Sequence, residues 1–254
     1  MARISSRLDQ MGSAIFSEMD RLKKEKEKEG TSIINLSIGS PDLPPAPHIR
    51  EALEKEVLLG NNYGYSLTEG LFQLKEAITD WYKRRFQVDL DEETEVLPLI
   101  GSQDGLGHIG LAYLDPGDIA LVPDPGYPVY SASVALAGGK KYPLPLLQEN
   151  NFLPDLQVIP EKIAQNAKIM FLNYPNNPVA ATADHDFFTR AVDFARRYDL
   201  LLCHDLAYSE LAYDGYKPPS LLEVPGAKEV AVEFHSFSKT FCMAGCRLGF
   251  DVGN

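Results

Sequence analysis

Five short stretches of this chain combine residue types that could do chemistry together. Ser236-Phe237-Ser238-Lys239 sets two hydroxyls beside an amine, and Arg247 follows eight residues after the lysine. A lysine among Phe237, Phe241 and Met243 is expected to be partly desolvated. That favours the neutral amine, the form that attacks a carbonyl. Gly101-Ser102-Gln103 opens a predicted helix, whose free backbone N–H groups and positive dipole end suit a phosphate. Ser236 and Ser238 add hydroxyl donors, and the Arg247 guanidinium fork matches a phosphate dianion. Asp205 could hold a ring nitrogen protonated, Tyr127 could lay its face on a planar ring, and Asn177 could donate to a phenolic oxygen.

A ligand with a phosphate, a ring, a basic ring nitrogen and an aldehyde answers all of these groups, and pyridoxal 5′-phosphate has that composition. The elements that must position them follow an alternating rhythm. VLPLI precedes a helical stretch at 103–113, IALVP one at 129–137, KKYPLPL one at 156–165 and KIMFL one at 185–198. LLLC, VAVEF and CRLGFDV complete the set. Seven strand-like runs with crossover helices predict an α/β fold: a seven-stranded, mostly parallel sheet with helices on both faces. Open sheets of this kind bind ligands beyond the carboxyl ends of their strands, where these polar turns fall. Asp184, His185 and Asp186 read as a helix start, where acidic side chains complement the dipole.

The region before the sheet reads differently. Leu8, Met11, Ile15, Met19 and Leu22 draw an apolar helical stripe, which expects a partner surface. KKEKEKEG continues it as an exposed, charged helix end stopped at Gly30. IINLSIGSPDLPPAP predicts a short strand and then an extended passage, since four prolines in seven residues exclude a helix. Helices are expected at 48–59 and 71–86, with Gly60-Asn61-Asn62 between them.

Composition removes several classes of function. With 254 residues and 44% apolar content, the chain can bury a core without disulfide or metal staples. A net charge of −12 opposes nucleic-acid partners and anionic membrane surfaces. No apolar run approaches the roughly 18–20 residues of a membrane span, and MARISSRLDQ is no secretory signal. Three cysteines read as reduced thiols of a cytoplasmic protein. Cys203, His204, His235, Cys242 and Cys246 match no zinc spacing, so no metal is expected. No Ser-His-Asp set, Walker loop or dinucleotide fingerprint is present.

The segment SFSKTFCMAGCRLG, residues 236–249, resembles the lysine segment of the fold-type I aminotransferases of class I/II. The likeness extends to Asp205-Leu206-Ala207-Tyr208, to Asn173-Tyr174-Pro175-Asn176-Asn177-Pro178, to Pro125-Gly126-Tyr127-Pro128 and to Gly101-Ser102-Gln103. Ile38-Gly39-Ser40-Pro41-Asp42 looks like the family's N-terminal glycine loop, and Tyr65 like the tyrosine that reaches the neighbouring subunit's cofactor phosphate. The chain departs at Val179-Ala180, where the family carries Thr-Gly, and at Cys242, where a small or aliphatic residue is usual.

The resemblance implies a pyridoxal-phosphate aminotransferase acting on an amino acid and a 2-oxo acid, in the diaminopimelate and aspartate-type branch. Lys239, Asp205 and Tyr208 would be catalytic. Ser102, Gln103, Tyr127, Asn177, Ser236, Ser238, Arg247 and Tyr65 would join them in holding cofactor, and Gly39 and Asn177 would meet substrate. Residues 1–46 would form an arm and partial small domain, residues 47–254 the large domain, and the assembly would be a homodimer. The resemblance also implies a segment after Asn254 that supplies an arginine for the substrate carboxylate, so these residues alone are expected to transaminate poorly. The same scaffold could instead run β-elimination at carbon–sulfur bonds, or serve as a non-catalytic cofactor-binding regulatory domain.

Overall fold

A computed structural model describes residues 5–10, 15–36, 39–65 and 71–254. The chain begins with a 3-10 turn at Ser6–Gln10, which lies near a later helix, and continues into α1 (Ile15–Lys28). Exposed i,i+3 and i,i+4 pairs such as Lys24–Asp20 at 2.6 Å and Lys26–Glu29 at 2.7 Å lace α1 and its end, and water screens them. Of the expected stripe, Leu8, Met19 and Leu22 are exposed, while Met11 and the Ile15 side chain lie outside the described residues. The short strand expected near Ile33 is absent among the described residues: 31–36 and 39–46 carry no regular structure. The prolines that follow deny a neighbouring strand its N–H donors.

Two helices come next, α2 (Pro47–Val57) and α3 (Phe72–Phe86), close to the expected bounds. Then the alternation begins: β1 (Val96–Leu99), α4 (Ser102–Tyr113), β2 (Ile119–Asp124), α5 (Pro128–Ala137) and β3 (Lys140–Pro145). The helix expected over 156–165 is broken into a 3-10 turn at Leu156–Val158 and a single turn, α6 (Glu161–Ala164). Pro160 explains the break, because it has no N–H to give and serves instead as the cap of α6. After it come β4 (Ala167–Asn173), α7 (His185–Tyr198), β5 (Leu201–Asp205), β6 (Ala231–Ser236), α8 (Phe237–Thr240) and β7 (Gly249–Gly253). Asp184 caps α7 by accepting from the Phe187 N–H at 2.8 Å, as its position predicts.

The seven strands form one sheet in the order β1-β7-β6-β5-β4-β2-β3. All run parallel except β7, which is antiparallel to both β1 and β6. Side chains alternate across the sheet and feed two cores. On one face Met170, Leu172 and Leu202 pack with Tyr82 and Phe86 of α3 and Phe187 and Phe188 of α7. On the other, Ile169, Phe171, Cys203 and Phe234 pack beneath Leu106 of α4 and Tyr130 and Val134 of α5. Each such fully buried large side chain contributes roughly 1.5–3 kcal/mol. No helix among the described residues is long and apolar enough to cross a membrane.

The topology assigns one end of the sheet to function. β2, β4, β5 and β6 all finish there. Because β7 runs the other way, its first residue rather than its last lies at that end.

Candidate active site

A cleft of about 480 Å³ opens at this end of the sheet. Its walls come from the expected turns, and they gather Gly39, Ser102, Gln103, Tyr127, Asn177, Asp205, Tyr208, Ser236, Ser238, Lys239 and Arg247 from distant parts of the chain. Tyr65 is the exception. It is fully exposed and lines no part of this cleft.

Asp205 ends β5 and is buried at the floor. Burial pushes its carboxyl above the usual range, opposed by the Tyr130 hydroxyl, the Ala207 N–H, and the charges of His204 and Lys239. Tyr130 donates to Asp205 Oδ2 at 2.8 Å and Ala207 N to Oδ1 at 3.2 Å. Asn173, at the end of the neighbouring β4, donates to the Asp205 carbonyl at 2.8 Å and accepts the Asn177 N–H at 2.7 Å. That fixes the Asn177 turn against the end of β5.

Lys239 lies in the short α8, capped by Ser236, whose hydroxyl accepts the Ser238 N–H at 3.2 Å. Its Nζ donates to the Gly39 carbonyl at 2.6 Å and sits 5.7 Å from the centre of the Tyr208 ring. Partial burial lowers its proton affinity, and Asp205 pulls the other way. The direction and its cause, desolvation, agree with the sequence argument, but the groups around the amine differ. Phe237 and Phe241 line a separate apolar cavity of about 260 Å³, and the Lys239 amine instead meets Gly39 and Tyr208.

The other end of the cleft is built for an anion. Gly101 precedes α4 at φ +77°, a conformation that glycine adopts cheaply, and the first residues of α4, Ser102 and Gln103, line the cleft. A Cβ on Gly101 would lie 2.5 Å from Arg247 Nη2. A Cβ on Gly249, the first residue of β7, would lie 2.5 Å from the Ser102 amide nitrogen. The guanidinium and the helix start are therefore packed together with no room for a side chain between them. Tyr127 forms one wall, its hydroxyl 3.3 Å from Gln103 Oε1.

These residues fit pyridoxal 5′-phosphate. Helix amides, two serines and an arginine converge on one end, a buried carboxylate faces the middle, and an amine stands across from it. Tyr130, Asn173 and Gly249 were missed as individual site residues. Tyr130 follows Tyr127 by three positions at the start of the same helix, Asn173 opens the recognised asparagine-proline motif, and Gly249 closes the recognised lysine segment, so each left a local signal.

Comparison with known proteins agrees with this geometry. The family profile described as aminotransferase class I and II matches residues 31–254. LL-diaminopimelate aminotransferases from Desulforudis audaxviator and Syntrophobacter fumaroxidans are 50% and 52% identical over 250 residues, 98% of this chain and 64% of each relative. A probable N-succinyldiaminopimelate aminotransferase from Thermus thermophilus superposes with a TM-score of 0.90 at 40% identity, over 95% of this chain and 65% of that one. The chain thus spans just under two thirds of the length of these relatives. The sheet order, the cleft and these matches converge: the chain belongs to the aminotransferase class I and II family, and pyridoxal 5′-phosphate is its cofactor.

Proposed function

We propose that the protein is an aminotransferase that moves an amino group between an amino acid and a 2-oxo acid, with a diaminopimelate-type donor. The observation that carries this reading is the Lys239 amine, shifted toward its neutral form and sharing one cleft with Asp205 and Arg247. The donor class rests on the LL-diaminopimelate aminotransferases that are about half identical to this chain. Bound pyridoxal phosphate supplies an aldehyde that captures the amino group and a ring that takes up the electrons released at Cα.

The chain's own residues divide the remaining work. Lys239 would attach the cofactor and, once freed, its neutral Nζ would take the proton from the substrate's Cα and carry it to the cofactor carbon on the other side of the amino nitrogen. Its hydrogen bond to the Gly39 carbonyl aims the amine across the cleft. Asp205, buried at the floor of the cleft, would accept the ring N–H of the bound cofactor. Tyr208 and Asn177 would donate to the cofactor's ring oxygen, and Tyr127 would wall its ring. Ser102 with the α4 amides, Gln103, Ser236, Ser238 and Arg247 hold the phosphate. Gly39 and Asn177 border the substrate. Tyr65, exposed in the single chain, serves the cofactor phosphate of a second copy in a two-fold dimer. Residues 1–46 act as arm and partial small domain and 47–254 as the cofactor domain, in a cytoplasmic protein.

Borohydride reduction of the cofactor-loaded protein followed by peptide mapping tests the reading. The adduct is expected on Lys239 and is expected to vanish in Lys239→Ala. An adduct elsewhere, or none with excess cofactor, overturns the assignment. Turnover of LL-diaminopimelate that requires a 2-oxo acid supports transamination, whereas release of pyruvate and ammonia from a sulfur amino acid would replace it with elimination.

A further inference from the structure

Asp205 and Asn177 reach the cleft from two different strand ends. Asp205 closes β5, and Asn177 lies in the turn that follows β4. In the function proposed above they meet the ring nitrogen and the ring oxygen of one rigid ring, so their separation has to match a fixed distance. The carboxylate oxygens of Asp205 are set by the Tyr130 hydroxyl and the Ala207 N–H, and neither contact involves Asn177. Among the described residues, one side chain bonds both: Asn173, the last residue of β4 and the register partner of Asp205.

Asn173 is 1% exposed. Its Nδ2 donates to the Asp205 carbonyl at 2.8 Å and to the Pro175 carbonyl at 3.3 Å, and its Oδ1 accepts the Asn177 N–H at 2.7 Å. These partners fix which end of the amide is which, because a carbonyl can only accept and an N–H can only donate. One planar amide thus has its oxygen on the Asn177 turn and its nitrogen on the end of β5, away from competing water. Asn176 works differently. Its Nδ2 donates to the Asn173 carbonyl at 3.1 Å and its Oδ1 accepts the Val179 N–H at 3.1 Å, so both bonds stay within residues 173–179. Asn176 shapes the turn, and Asn173 ties Asn177 itself to β5.

We infer that Asn173 is a positioning residue that sets where Asn177 stands relative to Asp205, and so how the cleft grips the two polar ends of the cofactor ring. It does not line the cleft, so it acts through its two neighbours. The consequence for the ring rests on the roles given to Asp205 and Asn177 in the proposed function. Without the Asn173 side chain the Asn177 turn is free to shift against β5, while Tyr130 and the Ala207 N–H still hold the Asp205 carboxylate. The Asn177 donor then falls short of the ring oxygen. An anionic oxygen that has lost a donor makes the proton beside it harder to remove, so the bound cofactor titrates at higher pH.

Wild type, Asn173→Ala, Asn177→Ala and the double variant are compared as the cofactor-loaded full chain, reading the pH midpoint of the bound cofactor's visible absorbance. Each single substitution is expected to raise the midpoint by about half to one pH unit, and the double variant to match Asn177→Ala rather than the sum. A folded Asn173→Ala with an unmoved midpoint overturns the proposal, and so do additive shifts, which would give Asn173 a route other than Asn177. Asn173→Thr, whose one hydroxyl cannot bridge both partners, is read by the same criteria if the alanine variant does not fold. In the cofactor-free chain, amide exchange at Asn177 is expected to quicken about tenfold in Asn173→Ala while that at Ala207 stays unchanged. Equal quickening at both amides means general loosening and overturns the proposal. An unmoved midpoint in Asn177→Ala would sink the ring-oxygen role in the proposed function, while the exchange of the two amides still decides what Asn173 does.

Discussion

Tyr130 donates its hydroxyl to Asp205 Oδ2 at 2.8 Å while its ring stacks on Phe171, 5.1 Å between centroids and 18° from parallel. The stacked ring on the α5 side of the sheet fixes the hydroxyl, and the hydroxyl fixes one oxygen of the carboxylate. Tyr130→Phe keeps the packing and removes the bond. The Asp205 oxygen is then buried without its donor, which costs roughly 1–3 kcal/mol. Lower thermal stability and a cofactor affinity reduced about tenfold are expected. Unfolding curves and cofactor titration of the purified variant check both; unchanged affinity would separate Tyr130 from the site.

Gly249 sets how close β7 comes to the start of α4. An alanine there would place Cβ 2.5 Å from the Ser102 nitrogen and 2.6 Å from the His235 oxygen, both backbone atoms that cannot swing away. Gly249→Ala is expected to cost about 1–3 kcal/mol in stability. It is also expected to weaken cofactor binding more than binding of phosphate-free pyridoxal, since the displaced amide belongs to the anion end. Equal losses for the two ligands would show that α4 does not hold the phosphate.

Much of this architecture was legible because its signals are local. Each of the seven apolar runs became a strand, and α7 formed over the expected His185–Tyr198, because a cap at Asp184 and an apolar period mark it independently of the rest of the chain. The reversed direction of β7 was not legible, since nothing in a five-residue strand records which neighbours it will join. Tyr130 and Gly249 sit in or beside recognised motifs, but the partners that give them their roles, Asp205 and Ser102, lie far away in sequence. Pro160 is a local signal, and its missing N–H outweighs the apolar pattern around it. Buried Glu233 left a trace, a single acid in the apolar run VAVEF, but the His204 and Tyr82 side chains that bond it arrive from elsewhere.

Ala180 occupies the position where the resemblance expects glycine, and its φ is +57°. A side chain in this left-handed region costs about 1–2 kcal/mol, partly offset by the greater freedom that glycine would bring to the unfolded chain. Ala180 is exposed, so replacing it leaves no cavity. Ala180→Gly is therefore expected to stabilise the protein by about 0.5–1 kcal/mol, read as a raised denaturant midpoint with an unchanged slope. A destabilised variant would mean that the turn after Asn177-Pro178 gains more from the methyl group than the backbone loses.

Asp251 makes stability depend on pH in a direction opposite to that of most carboxylates. It lies in β7 between Leu97 and Phe234, and burial, with the nearby Asp104 charge, pushes its carboxyl up to about 7. The unfolded chain releases the same proton near the ordinary value of 3.8. Between these two values the folded state binds more protons than the unfolded state, so the group's contribution falls as pH rises from about 4 through about 7. Below that window the carboxyl is neutral in both states and costs nothing; above it a buried charge is carried at full cost. With residual solvent contact at the strand, that cost at pH 8 is on the order of 2–4 kcal/mol. Asp251→Asn mimics the protonated form in shape and cannot ionise. It is expected to match the wild type near pH 4 and to exceed it progressively toward pH 8, as measured by denaturant unfolding at a series of pH values. Equal stabilities at pH 8, or an advantage confined to acid, would show that Asp251 is ionised in the folded protein at little cost.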